Sequence, residues 1–434
     1  MPAPKRLYPL RRHPVQARWK ASQVRFNVVP AGRRSGKTEI AKRKLVTRAF
    51  RGTDFEDPRF FAAAPTRDQA KAIYWADLKA MIPRQLMARS PSETELSIQL
   101  VTGAELWVVG MDRPERIEGR PWDGGILDEF GNMKPGAWGE NVRPALSDRR
   151  GWCDLIGVPE GRNHYYDIAK YAQGDDPDWA FWTWFSADIL PPEEIAAARR
   201  QLDELVFQQE YEASFINFSG RAYYPFVEAT HTAPLAYDPN ATLAFCFDFN
   251  VEPGVAAVCQ EQKLPNGLDG TGVIGEVWIP RNSNTPAVCR KLIADWGEHV
   301  GRVVCYGDAT GGSRGSAKVD GSDWDLIKKE LRPHFGDRLG FKVKSANPAE
   351  RARINAVNSR LKSAVGEVRL MVDPTKAPHV IRDLEGVTLL EGGSGELDKK
   401  KSAELTHISD GLGYYVEHDF PVVKPIITVT PLRM

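Results

Sequence analysis

The sequence predicts two α/β domains in series, an N-terminal P-loop domain on a mainly parallel sheet and a C-terminal domain on a mixed sheet. Three observations carry the prediction. A strand, a glycine-containing loop and a helix follow one another between Arg25 and Val46. A later apolar run, Gly125-Ile126-Leu127, ends in the acids Asp128-Glu129. The second half then places lone acids in two apolar runs and a third on a late helix. At 434 residues the chain also exceeds one ordinary core.

The loop is Pro30-Ala31-Gly32-Arg33-Arg34-Ser35-Gly36-Lys37-Thr38. Arg25 to Val29 before it is β-branched and aromatic, and Glu39 to Val46 after it places Ile40, Ala41 and Leu45 on one helical side. Such a loop turns backbone N–H groups toward an anion at a helix N-terminus. Residues Ala31, Gly32, Arg33, Arg34, Ser35, Gly36, Lys37 and Thr38 are therefore the expected nucleotide contacts. Lys37 reaches the β/γ-phosphates of ATP and Thr38 holds Mg2+. Ala31 stands where the usual pattern opens with Gly. Upstream, the amide of Gln16 offers both a donor and an acceptor to an adenine edge.

Phe60 to Thr66 reads as a second strand and turn, and Gln69 to Met81 as a helix. Ile98–Val101 and Glu105–Val109 flank Thr102-Gly103-Ala104 as a hairpin. At the end of the next strand, Asp128 can hold the Mg2+ shell while Glu129 activates the attacking water. Asp154 to Tyr166 is a buried strand leading into a Pro/Gly turn.

The Ala-Gly-Arg-Arg-Ser-Gly-Lys-Thr loop, the Leu-Asp-Glu strand end and Gly157-Val158-Pro159-Glu160-Gly161-Arg162-Asn163-His164-Tyr165-Tyr166 resemble the ATPase of the large terminase subunit of tailed double-stranded DNA bacteriophages. The last stretch is similar to that family's coupling motif, with Val158 where the family has Thr. The resemblance covers roughly residues 9 to 420. It implies an arginine finger, supplied by a neighbouring subunit from just before the Asp-Glu strand. Arg120 is the first candidate and Arg116 the second, with Arg143 and Arg149 further downstream.

Leu190-Pro191-Pro192-Glu193-Glu194-Ile195 opens a helix, with prolines and acids in its first turn. The expected layout is an ATPase domain at 1–185, bridging helices at 186–239, a nuclease domain at 240–420 and a tail at 421–434. In the nuclease domain Leu243–Asn250, Val255–Gln260 and Val273–Ile279 read as strands. Val303–Asp308 is a fourth strand ending in an acid. Asn347 and Pro348 read as the cap and first turn of a helix. Ile354, Val357, Leu361 and Val365 form its core stripe, leaving Arg351, Arg353, Arg360 and Lys362 off it. Thr406 to Tyr415 is the closing helix, and Gly411 and Gly413 let it approach a sheet closely.

This order describes an RNase H-like nuclease. Asp248, Asp308 and Asp410 are the expected metal ligands and catalytic acids, with Glu276 a weaker fourth. Two like charges ~4 Å apart repel by about 4 kcal/mol at an effective dielectric of ~20, so clustered acids call for a cation or a proton. Two Mg2+ or Mn2+ ions can activate a water and stabilise the leaving oxygen of a phosphodiester. Lys399-Lys400-Lys401, in a Gly/Ser-rich loop, suits DNA phosphate.

Net charge is +1, but residues 1–51 hold fifteen Lys or Arg against the single acid Glu39. Such a block suits a polyanion. No apolar run approaches the ~20 residues of a membrane span, and the basic N-terminus has no apolar signal core. The five cysteines lack a CxxC pair and several sit in apolar runs, which points to buried thiols. The resemblance implies a DNA-packaging motor that acts on double-stranded DNA in the host cytoplasm, outside the mature virion. It also implies a ring of five on a portal protein, with a small terminase subunit selecting the DNA. Two other classes fit parts of the pattern. A helicase or repair motor with an inactive RNase H-like domain would separate strands. An interaction protein would bind nucleotide without DNA-stimulated turnover.

Overall fold

A computed structural model describes residues 13–216, 220–249, 252–309, 322–390, 396–399 and 405–422. Most of the Lys399–Lys401 loop and most of the tail after Pro421 lie outside the described residues. The chain divides into two compact units, Met1–Ile195 with Phe207–Asn217, and Ala196–Val206 with Phe218–Met434. The bridging stretch at 186–239 is thus shared between them. Among the described residues no helix is long and apolar enough to cross a membrane. All five cysteines are buried free thiols.

The first unit is built on a seven-stranded sheet of order β3-β4-β2-β5-β6-β1-β7. Its strands are β1 (Phe26–Pro30), β2 (Arg59–Ala64), β3 (Ser97–Gln99), β4 (Glu105–Gly110), β5 (Gly124–Asp128), β6 (Trp152–Gly157) and β7 (Trp179–Phe181). All pairs are parallel except β3 with β4, the expected hairpin. The central strands β1, β5 and β6 are buried along their whole length, which is why they read as continuous apolar runs. The P-loop helix, Lys37–Arg51, follows β1.

One polar group breaks that apolar centre. Asp154 in β6 is fully buried and pairs in register with Asn27 in β1. Lys44 of the P-loop helix meets its carboxylate at 2.8 Å. Trp19 Nε1 donates to it at 3.1 Å and Asn27 Nδ2 at 2.8 Å. A buried carboxylate and a buried ammonium are tolerable only when matched in this way.

The helix after β2 starts earlier than the apolar pattern suggests. Thr66 accepts from Gln69 N while Gln69 Oε1 accepts from Thr66 N, a capping box that begins the helix at Arg67. This helix continues to Met81 through a π-turn at Lys71–Trp75.

The second unit holds a mixed six-stranded sheet of order β13-β12-β9-β10-β11-β14. Its strands are β9 (Leu243–Asp248), β10 (Gly254–Lys263), β11 (Asp269–Ile279), β12 (Val303–Gly307), β13 (Leu339–Phe341) and β14 (Leu370–Val372). A two-stranded ribbon pairs β8 (Gly220–Arg221) with β15 (Thr388–Leu389). Strands β9, β10 and β11 run antiparallel in succession, and β12 returns parallel beside β9. This is the RNase H-like order that the sequence predicts.

Strand alternation sorts the side chains. Phe245 and Phe247 pack with Val288, Leu292, Ile327 and Leu331 of the helices Thr285–Trp296 and Asp323–Phe335. Cys246, Asp248, Tyr306 and Asp308 fall on the other face, under the closing helix His407–Asp419. There Gly411 passes so close that a Cβ would sit 2.7 Å from the Cys246 carbonyl oxygen. Asn347 does not cap the following helix, which spans Glu350–Leu361 behind Ala349. Val365, placed in that helix's core stripe, is exposed.

Removing Lys44 leaves Asp154 buried without its counter-charge. Lys44→Ala is expected to lower unfolding free energy by about 3–5 kcal/mol, read by urea denaturation. A loss below about 1 kcal/mol would show that Asp154 is satisfied by Trp19 and Asn27 alone.

Candidate active sites

The P-loop is gripped by its own unit from several sides. Gly32 N donates to the Trp184 carbonyl at 3.0 Å, and Ser186 Oγ donates to the Arg33 carbonyl at 2.6 Å. A Cβ on Gly32 would lie 2.5 Å from Ser186 N, so only glycine fits there. Gln16 Nε2 donates to the Ser35 carbonyl at 2.6 Å, joined by Trp184 Nε1 at 3.2 Å. Gln16 is therefore brought to the loop, with one amide hydrogen committed to the loop backbone. Arg33 forms an ion pair with Glu210. Ala31 is buried and lies outside the positive-φ residues, whereas Arg34 (φ 58°) and Gly36 (φ 87°) take that conformation. The first loop position thus makes no demand for glycine.

Thr38 Oγ1 and Tyr74 OH both donate to Asp128 Oδ2, at 3.0 and 2.9 Å. Tyr74 lies in the π-turn, a type of irregularity frequent at functional positions. Burial first, and then the Glu129 carboxylate, push Asp128 up to about 6, against the opposing Lys37 cation. Glu129 leaves the strand with φ 54°, so its side chain departs from the alternation of β5.

The turn after Glu129 is tied to the predicted coupling stretch. Asn163 Nδ2 donates to the Gly131 carbonyl at 2.8 Å, while its Oδ1 caps the next helix at Tyr165 N. His164 Nε2 lies 3.1 Å from the Phe130 carbonyl, and burial lowers its pKa. Gly161 N donates to Gln209 Oε1 at 3.0 Å.

Of the finger candidates, Arg149 is committed to Asp123 and Asp57 at 2.8 and 2.6 Å. Arg143 bonds Ser147 at 3.0 Å and lies over Phe26. Arg116 and Arg120 are exposed, the first facing Asp112 at 3.4 Å and the second stacked 4.3 Å over Trp107.

In the second unit Gly307 pairs with Phe247, so Asp248 and Asp308 stand at adjacent ends of the parallel strands β9 and β12. Asp410 joins them from the closing helix. Burial raises Asp410 to about 6, with Arg353 opposing and Asp248 adding to the shift. All three acids act electrostatically on Tyr414. Each is held by a protein donor. Asn347 Nδ2 bonds Asp308 Oδ1 at 2.7 Å and Tyr414 OH lies 3.3 Å from its Oδ2. His407 Nδ1 lies 3.4 Å from Asp248 Oδ2. Arg353 Nη1 bonds Asp410 Oδ1 at 2.9 Å. Among the described residues, no group of three or more His, Cys, Asp or Glu is gathered closely enough to hold a metal ion. In kind, three carboxylates at one sheet edge suit a hard divalent cation. In this arrangement they are turned to protein partners. Glu276 is used elsewhere: it accepts from His379 N and Val380 N at a helix start.

No protein-family model matches the chain. The large terminase subunit of Thermus virus P23-45 is 26% identical over 248 residues, covering 49% of this chain and 50% of that protein. The large terminase of a thermophilic bacteriophage aligns with 93% of this chain and 97% of its own, at a TM-score of 0.61 and 16% identity. This chain is similar to the phage large terminases. It spans about half the length of the curated relatives it matches. A second structure of the same thermophilic phage terminase, in complex with ADP, aligns over 93% of this chain and 98% of its own, with a TM-score of 0.60 and 14% identity. The terminase likeness thus extends through the P-loop and RNase H-like folds alike.

Four residues of the second site escape the sequence reading: Asn347, Arg353, His407 and Tyr414. Two signals were available. His407 and Asp410 are three apart on one helix and share a face. Arg353 falls on the stripe of Glu350, Ile354, Val357 and Leu361, so helical spacing puts it inward.

Asp128 gives a pH test. A carboxyl whose folded pKa is raised above its unfolded value binds its proton more tightly when folded. Stability is therefore lost as pH rises from 3.8 to about 6. Asp128→Asn removes that cost. In metal-free buffer at pH 8 it is expected to exceed wild type by up to ~3 kcal/mol, with the gap closing near pH 4. Equal urea midpoints at both pH values would show that Asp128 carries no such cost.

Proposed function

We propose that this chain is the motor and nuclease subunit of a phage DNA-packaging machine. It hydrolyses ATP to drive double-stranded DNA into a procapsid and cuts concatemeric DNA. The observation that carries the reading is the convergence of Thr38 and Tyr74 on Asp128, with Glu129 turned out of the strand beside it. A nucleotide such as the ADP bound by the thermophilic phage terminase is the ligand class this loop suits. Lys37 and the backbone of residues 32–37 bind the β- and γ-phosphates. Mg2+ held through Thr38 and Asp128 would neutralise charge on them. Glu129 orients the attacking water, and Arg120 or Arg116 of a neighbouring subunit faces the transferred phosphoryl. The bonds from Asn163 and His164 to the turn after Glu129 offer a path from hydrolysis to DNA movement.

The nuclease assignment rests on Asp248, Asp308 and Asp410 meeting at one sheet edge in an RNase H-like order. Two Mg2+ or Mn2+ ions held by these acids would activate water and stabilise the leaving oxygen. The partners we assign are double-stranded DNA, a portal protein, a small terminase subunit and four further copies of this chain in a ring. The setting is the host cytoplasm.

Paired assays test the two halves. Lys37→Ala is expected to weaken ATP binding, whereas Glu129→Ala keeps binding and loses turnover by roughly 10²–10⁴-fold. ATPase activity near wild type in Glu129→Ala would sink the hydrolysis assignment. Asp248→Ala, Asp308→Ala and Asp410→Ala should each abolish divalent-dependent plasmid cleavage and spare ATP hydrolysis. Full cleavage by any of them removes that acid from the site, and joint loss of both activities marks it as structural.

A further inference from the structure

The second site contains a fixed cation that the nuclease reading does not use. Arg353 is only 8% exposed in its side chain, and its guanidinium sits between Asp410 and the ring of Tyr414. Nη1 bonds Asp410 Oδ1 at 2.9 Å, and the guanidinium carbon lies 4.3 Å from the Tyr414 ring centroid. The helix Glu350–Leu361 brings it there by packing on the closing helix. Gly413 makes room, since a Cβ on it would sit 3.3 Å from Arg353 Cβ. Arg353 Nε is buried with no hydrogen-bond partner among the described residues. The arginine is thus desolvated at some cost, and its counter-charge is Asp410.

A guanidinium keeps its proton under all relevant conditions. Its charge therefore remains when a divalent cation approaches the same carboxylates, and it competes for the Asp410 oxygen it already holds. We propose that Arg353 is an internal counter-cation that holds Asp410 while the acid edge lacks metal, and that gives up this carboxylate when a divalent cation binds. The proposal rests on the reading of Asp248, Asp308 and Asp410 as metal ligands. It accounts for two observations together: the acids share one edge, yet each meets a protein partner there, with Asp410 bonded to Arg353. Metal affinity is then a difference between two pairings, carboxylate with metal and carboxylate with arginine. Weakening the second strengthens the first.

The test is Mn2+ titration calorimetry on the full chain, with melting temperature measured in EDTA and in saturating Mn2+. An Asp128→Asn background removes metal binding at the nucleotide site. Arg353→Gln is expected to melt lower in EDTA, to bind Mn2+ about tenfold more tightly, equivalent to ~1.4 kcal/mol, and to gain more from Mn2+ than its parent. Unchanged affinity with equal destabilisation in both buffers overturns the proposal and leaves Arg353 as packing. A ~10–100-fold weaker affinity also overturns it, since that is the signature of an outer partner that orients a metal ligand. If Arg353→Gln does not fold, Arg353→Lys carries the test, because a single ammonium loses the planar fork. A gain in Mn2+ affinity then supports the proposal, and no gain overturns it. Adding Asp248→Ala separates the two levels. Mn2+ binding that survives Asp248→Ala defeats the metal-ligand reading itself. Binding lost in Asp248→Ala but unaltered in Arg353→Gln defeats only the counter-cation.

Discussion

The first unit depends on one buried charge pair. Asp154 lies in the middle of a sheet whose neighbouring strands are buried throughout, and Lys44 comes from the helix that the phosphate loop launches. Their contact fixes the helix to β6, and β6 runs directly into the Gly157–His164 turn. Trp19 and Asn27 complete the carboxylate, so the helix Pro14–Ala21, which carries Trp19, and β1 itself are drawn to the same point. An apolar substitute could fill this volume, but it would not set one rotation and one height for the P-loop helix against β6. Each polar atom here has a partner, and a shift of the helix would strip several of them together.

The two sites manage excess negative charge in different ways. At the first site Asp128 is paired with neutral donors, Thr38 and Tyr74, and the nearby Lys37 cation only moderates its raised pKa. At the second site the compensation is permanent, an arginine whose charge cannot be titrated away. Carboxylates brought together by a sheet edge call for a cation or a proton, and Arg353 places a cation on Asp410 from within the chain.

Much of this architecture was legible in the sequence because it follows from local chemistry. Glycine spacing marked the loop between β1 and its helix, continuous apolar runs marked central parallel strands, and lone acids within such runs marked the strand ends at Asp128, Asp248 and Asp308. What was missed involves polar side chains whose partners are distant in sequence. Asn347 resembles a helix cap beside Pro348, but its Oδ1 accepts from Ala309 N instead, while its Nδ2 donates to Asp308. Arg353 falls on the inward stripe of its helix, but the carboxylate it meets there comes from the closing helix, distant in sequence. Thr66 read as a turn residue because its cap depends on Gln69 reaching back, a reciprocity that apolar periodicity does not register. Gly411 was the reverse case: its role in close approach could be anticipated, since few other reasons place glycine on a packed helical face.

The π-turn at Lys71–Trp75 has a consequence for how the helix Arg67–Met81 divides its duties. One additional residue in a turn rotates everything beyond it by about 100° relative to everything before. The leading residues can then lie along β4, while Asp77, past the turn, reaches Lys42 on the P-loop helix at 2.6 Å. Tyr74 stands at the break and takes neither direction, pointing to Asp128 instead. A helix of uniform pitch offers one stripe and one set of neighbours. This one works as a three-way joint, and its phase slip is the hinge pin on which a sheet strand, a phosphate-loop helix and an acidic strand end are registered.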